Sequence, residues 1–254
     1  MIELTDNFPS ILFLFAVQML AVLLAVRHAK RRGWSIKATG IYFVLGLLGL
    51  WGALSVWLAL TGIYMSAIFL AAYPTFWLPF IPVILALVPL LASGSLRTAV
   101  AALIDATPTH WIIGIHALRI LAIGSLIKAW NGAFSMSFAI WVGIPDLLFG
   151  VSALVMYWMA RQGRVSSLGL MVWNALGVLV IIPGAPLVAQ AGLPGAFFRS
   201  NETPSMMTLY EFPMVLAPSL VVPVFVLFNL IVAAREFTKR PQRPTQTTKA
   251  ASGP

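Results

Sequence analysis

Seven long stretches of the chain are almost continuously apolar, and short polar or basic segments separate them. A helix needs about 20 such residues to cross a bilayer, so the pattern predicts seven transmembrane helices. Their expected bounds are 8–26, 40–60, 76–92, 110–130, 138–160, 168–189 and 213–234. The pattern therefore predicts an all-α integral membrane protein, with residues 1–234 forming one seven-helix domain.

Three of the segments outside these spans carry their own patterns. Apolar residues recur at helical spacing over 95–106, which predicts a surface helix on the cytoplasmic side. The loop 192–212 contains Phe197, Phe198, Met206 and Met207, which could fold over the outer mouth as a lid or anchor the loop at the interface. The basic tail 235–254 is rich in Thr, Gln, Pro and Ser, and we expect it to be disordered.

Composition and charge indicate the environment and the orientation. The chain is 60% hydrophobic and only 9% charged, whereas a soluble domain has about 25% charged residues. Of the 16 Lys and Arg residues, 13 lie on one side of the predicted spans, and Lys128 and Arg199 lie on the other. Because basic loops stay in the cytoplasm, we expect the N-terminus outside and the C-terminus inside. The same rule explains the net charge of +9, so we expect the lipid bilayer, and no nucleic acid, as a partner.

Arg119 and Asp146 place opposite charges at mid-membrane depth in consecutive spans. Helical rise puts them roughly 13 Å and 12 Å from opposite membrane edges, so their depths differ by about 5 Å in a 30 Å core. An arginine side chain covers that difference, and consecutive antiparallel spans are usually neighbours. The sequence therefore predicts an Arg119–Asp146 contact, either as a structural bridge or as a functional site.

Four further polar residues lie inside other predicted spans or beside Arg119. His116 comes three residues before Arg119 and shares its helix face, while Gln18, Asn174 and Asn229 lie in the first, sixth and seventh spans. Together with the charge pair they could line one cavity for a small polar or amphipathic ligand. The alternative is that the amides join helices by hydrogen bonds alone.

Several kinds of chemistry are not expected. The chain has no cysteine and three histidines, and their spacing offers no metal or haem site, so we expect neither a metal nor a cofactor. The second span has a small-residue face of Gly46, Gly49 and Ala53. Such a face permits close helix packing, within the chain or in a homo-oligomer.

Four segments carry a resemblance to a known family. They are His110-Trp111-Ile112-Ile113-Gly114 with Arg119, Gly143-Ile144-Pro145-Asp146 with Gly150, Trp173-Asn174, and Phe212-Pro213 with Pro218 and Pro223. Over about the C-terminal 60% of the chain this pattern resembles a family of uncharacterised bacterial multi-pass membrane proteins. The resemblance implies a bacterial inner membrane and brings no activity with it.

Three functions remain open at this point. The first is a non-enzymatic binder or transporter of a small molecule or ion, built around the Arg119–Asp146 pair. The second is an accessory or structural subunit of a membrane complex. The third is a membrane enzyme acting on a lipid or isoprenoid-like substrate, with Asp146 as its acid or base.

Overall fold

The computed structural model describes residues 8–72, 77–191, 193 and 200–239, and these are helical with no strand among them. The predicted all-α class is confirmed. Residues 1–7 and most of the predicted tail 235–254 lie outside the described residues. The helices are α1 Phe8–Arg31, α2 Thr39–Leu60, α3 Ala67–Ala71, α4 Phe80–Ala92, α5 Gly94–Ala106, α6 Thr109–Trp130, α7 Met136–Arg161, α8 Ser167–Ala189 and α9 Ala217–Thr238.

Six of the described helices, α1, α2 and α6 to α9, are long and apolar enough to cross a membrane. The expected third span is shorter than the others, because α4 has 13 residues and its length of about 20 Å falls short of a 30 Å bilayer core. At Ser93 the chain turns by 109° into α5, and the Ser93 side chain accepts a hydrogen bond from the Leu96 amide as its N-cap. A seventh span therefore exists only if the bent pair α4–α5 is counted as one.

The predicted helix over 95–106 is present as α5, which buries Leu96, Ala99 and Leu103 against the adjoining ends of α1 and α2. This end of the bundle also holds the start of α6 and the end of α9. We call it the basic end, and its cationic residues are Arg27, Lys30, Arg31, Arg32, Lys37, Arg97, Arg161, Arg164, Arg235 and Lys239. The other end, formed by α3, the α6–α7 turn and residues 200–216, is called the far end.

Ion pairs at the basic end hold α5 to α9. The Arg235 Nη2 lies 2.5 Å from Asp105 Oδ2, and the Lys239 Nζ lies 2.8 Å from Asp105 Oδ1. Burial lowers the pKa of Lys239, but its hydrogen bonds to Asp105 and Glu236 outweigh that effect and raise the pKa above its ordinary value. Helix α9 continues through Thr238, four residues beyond the end of the expected last span 213–234.

Four long helices depart from regular α geometry in their middle or far half. Residues Ile115–Ala122 of α6 form a 3₁₀ helix, and Ala139–Gly143 of α7 and Ala217–Val221 of α9 are π-helical. In α8 the α-helix stops at Leu179 and resumes at Gly184. Prolines follow or interrupt three of these segments. A proline has no backbone N–H and so removes one hydrogen bond of the regular α-helical pattern.

Two glycines allow the central helices to approach each other closely. A Cβ atom at Gly150 of α7 would lie 2.5 Å from the Ile120 nitrogen and 2.8 Å from the Arg119 carbonyl carbon of α6. A Cβ atom at Gly177 of α8 would lie 2.4 Å from Phe149 and 2.5 Å from Asn229 Nδ2. The absence of side chains at these two positions therefore brings α6, α7, α8 and α9 together around Arg119.

The described part of the far-end loop packs onto the helices. Met206 and Leu209 are buried in the core at this end. Glu202 accepts hydrogen bonds from Ser135 Oγ and from the Ser137 amide and hydroxyl, the latter two at 3.0 Å and 2.8 Å. A carboxylate at the first turn of α7 is favoured by the helix dipole, so Glu202 fastens the loop there. Phe197 and Phe198, for which a lid or an interfacial anchor were the two alternatives, lie outside the described residues.

Candidate functional site

The predicted contact between Arg119 and Asp146 is present. The Arg119 Nε donates to Asp146 Oδ1, and Nη1 donates to the Gly177 carbonyl at 3.3 Å. The arginine side chain is 1% exposed and that of the aspartate 14%. Such a buried pair is a weak source of stability, because desolvation offsets most of its Coulombic attraction.

Aromatic rings enclose the cationic side of the pair. The Arg119 Cζ lies 4.3 Å from the ring centre of Phe149 and 5.9 Å from that of Phe225. Phe149 stacks on Trp173 with ring centres 4.5 Å apart. Because the ring faces carry negative quadrupole charge, they favour the guanidinium even where water is excluded.

His116 lies in the same aromatic enclosure. In a 3₁₀ helix, residues three apart lie directly above one another, so the local winding aligns His116 with Arg119. The imidazole centre is 5.6 Å from Trp173, 5.7 Å from Phe225 and 5.9 Å from Phe149. The side chain is fully buried.

The predicted amides of α8 and α9 adjoin this cluster. Asn229 packs against Gly177, and the Gly177 carbonyl accepts the hydrogen bond from Arg119 Nη1. Asn174 lies one turn before Gly177 on the buried side of α8, and its Nδ2 donates to the Leu170 carbonyl at 2.8 Å. The structure therefore places His116 and Asn229 beside Arg119 and its Gly177 partner, and Asn174 one turn further along α8.

Gln18 is buried but bonds to α9 instead of to the charge pair. Its Nε2 donates at 3.0 Å to the carbonyl of Val221, the last residue of the π-helical segment of α9. The neighbouring Trp51 indole donates to the Ser219 carbonyl at 2.9 Å, an oxygen that Pro223 leaves without its usual helical donor. The Gln18 bond is interhelical bonding of the kind that the alternative interpretation of the amides described.

Sequence reasoning did not identify two groups of residues near this site. One is the hydroxyl chain in which Ser55 Oγ lies 2.9 Å from Tyr64 Oη and 2.8 Å from Ser219 Oγ. The other is the aromatic enclosure of His116 and Arg119. Phe149 could have been predicted near the pair, because it lies three residues after Asp146 on the same helix face. Trp173 could have been predicted because it precedes Asn174. Phe225 comes from a distant part of the chain and has no such signal.

Several buried polar atoms of this region have no hydrogen-bond partner within the described part of the chain. They are Gln18 Oε1, His116 Nδ1 and Nε2, Arg119 Nη2, Asn174 Oδ1, and Asn229 Nδ2 and Oδ1. Leaving a buried donor or acceptor unpaired costs about 1–3 kcal/mol each. A cluster of this kind reduces stability, and such local costs are typical of functional sites.

The charge pair forms part of the wall of a cavity of about 570 Å³, which we call the far cavity. It lies between α1, α4, α6, α7, α8 and α9, and of its described lining residues only Arg119, Ser125 and Asp146 are polar. The irregular segments of α6, α7, α8 and α9 all contribute to the wall, through Leu118, Val142, Ile181 and Pro218 respectively and through other residues. The irregular backbone is thus concentrated around one cavity.

Asp146 is the carboxylate in the wall of the far cavity among the residues described. Across the described ranges, no group of three or more His, Cys, Asp and Glu residues could hold a metal ion. Glu211 is exposed at the far end and does not belong to the described lining of the far cavity. Asp146 therefore faces the cavity with Arg119 as its partner and no second carboxylate beside it among the residues described.

One family model, described as Domain of unknown function (DUF8737), matches residues 75–235, more than half of the chain. The matched range contains α4 to α8 and most of α9, and with them Arg119 and Asp146. No curated protein and no solved structure matches the chain.

Proposed function

This chain belongs to the DUF8737 family, and we propose that it is a multi-pass membrane protein that binds a small amphipathic molecule at the Arg119–Asp146 pair. The observation that carries the proposal is the position of the pair in the wall of the far cavity, whose other described lining is apolar apart from Ser125. Membrane proteins keep ionisable residues within the bilayer chiefly at functional sites.

The shape of the cavity wall supports a ligand over a purely structural bridge. Irregular backbone at membrane depth is tolerated where it is buried in protein or lines a cavity, and discontinuous helices commonly form transporter sites. Here one 3₁₀ segment, two π segments and one break meet at the far cavity. A bridge that only joined α6 to α7 would not require irregularity in α8 and α9.

The chemistry of the site defines the class of ligand. Arg119 donates from Nε to Asp146 Oδ1, which leaves the carboxylate with further acceptor capacity. The carboxylate can therefore accept a hydrogen bond from a hydroxyl or ammonium group in the cavity. The apolar remainder of the wall requires a ligand that is mostly hydrocarbon, with one small polar head.

The proposed setting is a bacterial inner membrane, with α4–α5 as a bent seventh segment, the N-terminus outside and the C-terminus in the cytoplasm. The concentration of cationic residues at the basic end supports this orientation. Gly46, Gly49 and Ala53 are exposed on α2, and no atom lies within 4 Å of a Cβ placed at either glycine. That face would suit a second copy of the chain.

Orientation can be tested with single cysteines, because the natural chain has none. Asn201→Cys lies at the far end and Gln162→Cys at the basic end. We expect a membrane-impermeant maleimide to label Asn201→Cys in intact cells, and to label Gln162→Cys only after permeabilisation. The reverse pattern would refute the proposed orientation.

Ligand binding can be tested by native mass spectrometry of the full chain purified in mild detergent. We expect the wild type to carry a small molecule that Asp146→Asn loses. Asp105→Asn is the matched control, because it makes the same change at the basic end, away from the far cavity. Wild-type protein without a bound molecule, or one retained equally by Asp146→Asn, would contradict the proposal.

A further inference from the structure

A second cavity of about 570 Å³ occupies the basic half of the bundle, and we call it the basic-end cavity. Its lining comes from α1, α2, α4, α5, α6, α7 and α9 and is apolar except near Thr107, His110, Trp111 and Tyr157. Arg161 Nη1 lies 3.5 Å from the Tyr157 hydroxyl. The polar part of this cavity therefore faces the cationic surface of the basic end.

The two cavities follow one another along the same helices. On α4, Phe80 and Val83 line the far cavity, and the next turns, Ala86 and Leu90, line the basic-end cavity. On α1 the division falls between Leu14 and Val17, and on α6 it falls at Leu118. On α1, α4 and α6 the cavities therefore follow one another along the bundle axis. On α9 they overlap, since Val224 lines the basic-end cavity and Leu230 lines the far cavity.

Only a thin layer of side chains separates them. Among the residues that the structure describes, Leu118 alone lines both cavities. On α1, Gln18 lies between Leu14 and Val22 on the same helix face, and it reaches across to the Val221 carbonyl. The division is thus made by Leu118 and by the Gln18–Val221 contact.

Leu118 is placed where the backbone can change its winding. It belongs to the 3₁₀ segment Ile115–Ala122, and a 3₁₀ stretch inside a long helix often marks a hinge. Relaxing that stretch towards α geometry changes the rotation per residue, which would swing the Leu118 side chain around α6. The same change would move Arg119 relative to Asp146.

We propose that the two cavities are halves of one path by which a single-chain amphiphile crosses between the leaflets, with Leu118 as the gate. This inference rests on the proposed binding function and adds translocation to it. Each cavity has the volume of an ordinary small-ligand pocket, which suits one chain. The Asp146 carboxylate in the wall of the far cavity can accept a hydrogen bond from a hydroxyl group of the head group. Movement is downhill and needs no coupled energy source.

The test uses the full chain in phosphatidylcholine vesicles that contain a trace of lysophosphatidylcholine labelled on its acyl chain with nitrobenzoxadiazole. Dithionite bleaches label in the outer leaflet, so the slow phase of bleaching reports movement from the inner leaflet. We expect wild-type protein to accelerate this phase over protein-free vesicles. Leu118→Trp should slow it at least about tenfold, and Leu118→Ala should accelerate it.

Leu154→Trp is the matched control, because Leu154 is exposed on α7 and lines neither cavity; its rate should equal that of wild type. Binding of the same probe in detergent, measured by its fluorescence, separates the two proposals. Binding without accelerated bleaching overturns translocation and leaves the binding function intact, whereas absence of both overturns both. Equal rates in Leu118→Trp, Leu118→Ala and wild type would show that Leu118 is not the gate.

Discussion

Replacing Arg119 with methionine tests the energetics of the charge pair. The substitution keeps an apolar side chain over Phe149 but removes the donor to Asp146. Removing one partner of a buried ion pair costs about 3–5 kcal/mol, and a lone charge at mid-membrane depth costs at least about 2.5–3.5 kcal/mol. Because Asp146 retains 14% exposure, the lower values apply, and we expect a loss of about 3 kcal/mol.

The double variant Arg119→Met/Asp146→Leu should recover nearly all of that loss, since an apolar replacement of a buried pair is often neutral or stabilising. Reversible unfolding in mixed micelles, titrated with dodecyl sulfate, gives the free energies of wild type, both single variants and the double variant. Two results would show that Arg119 and Asp146 are not energetically coupled. One is a loss of unfolding free energy below about 1 kcal/mol in Arg119→Met. The other is a double variant that loses the sum of both single losses, because coupled sites are not additive.

Two further substitutions test how the helices and the far-end loop are held. Gly150→Ala should lower stability by about 1–3 kcal/mol in thermal unfolding, because its Cβ would meet α6 backbone at 2.5 Å. Gly46→Ala is the control, because a Cβ there meets nothing within 4 Å; it should raise stability by up to about 1 kcal/mol through helix propensity. Equal losses of stability in both variants would contradict the close approach of α7 to α6 at Gly150. Glu202→Ala should speed hydrogen exchange of the Ser137 amide, its donor at 3.0 Å, and Glu211→Ala should not. Unchanged exchange in Glu202→Ala would show that the loop is held elsewhere.

The apolar pattern predicted the long helices well. The expected spans 110–130, 138–160 and 168–189 correspond to α6 at Thr109–Trp130, α7 at Met136–Arg161 and α8 at Ser167–Ala189. The ends of these helices could be predicted from the sequence because turn residues and charged residues interrupt the hydrophobic runs there. The expected third span 76–92 ends at Ala92 as α4 does, but α4 begins only at Phe80, so its short length was not foreseen. Pro79 lies inside the expected span as the N-cap of α4, and the apolar pattern does not mark the start of the helix after it.

Depth arithmetic predicted the Arg119–Asp146 contact, because helical rise is regular enough to rank depths within one or two turns. The same arithmetic could not predict the 3₁₀ winding that aligns His116 with Arg119, or the π segments of α7 and α9. Those depend on how neighbouring helices satisfy backbone groups, as Trp51 and Gln18 do for α9. The bond from Ser135 to Glu202 joins residues far apart in sequence and has no periodic signal.

On the proposed function, a mostly hydrocarbon molecule with one polar head occupies the far cavity beside Asp146. The most direct test is a cryo-electron microscopy map of the full chain in lipid nanodiscs, obtained without added ligand. We expect elongated density between α1, α6 and α9, with its polar end at hydrogen-bond distance from the Asp146 carboxylate. A map in which protein side chains close the cavity around an intact Arg119–Asp146 pair would contradict it, and would assign the pair a structural role.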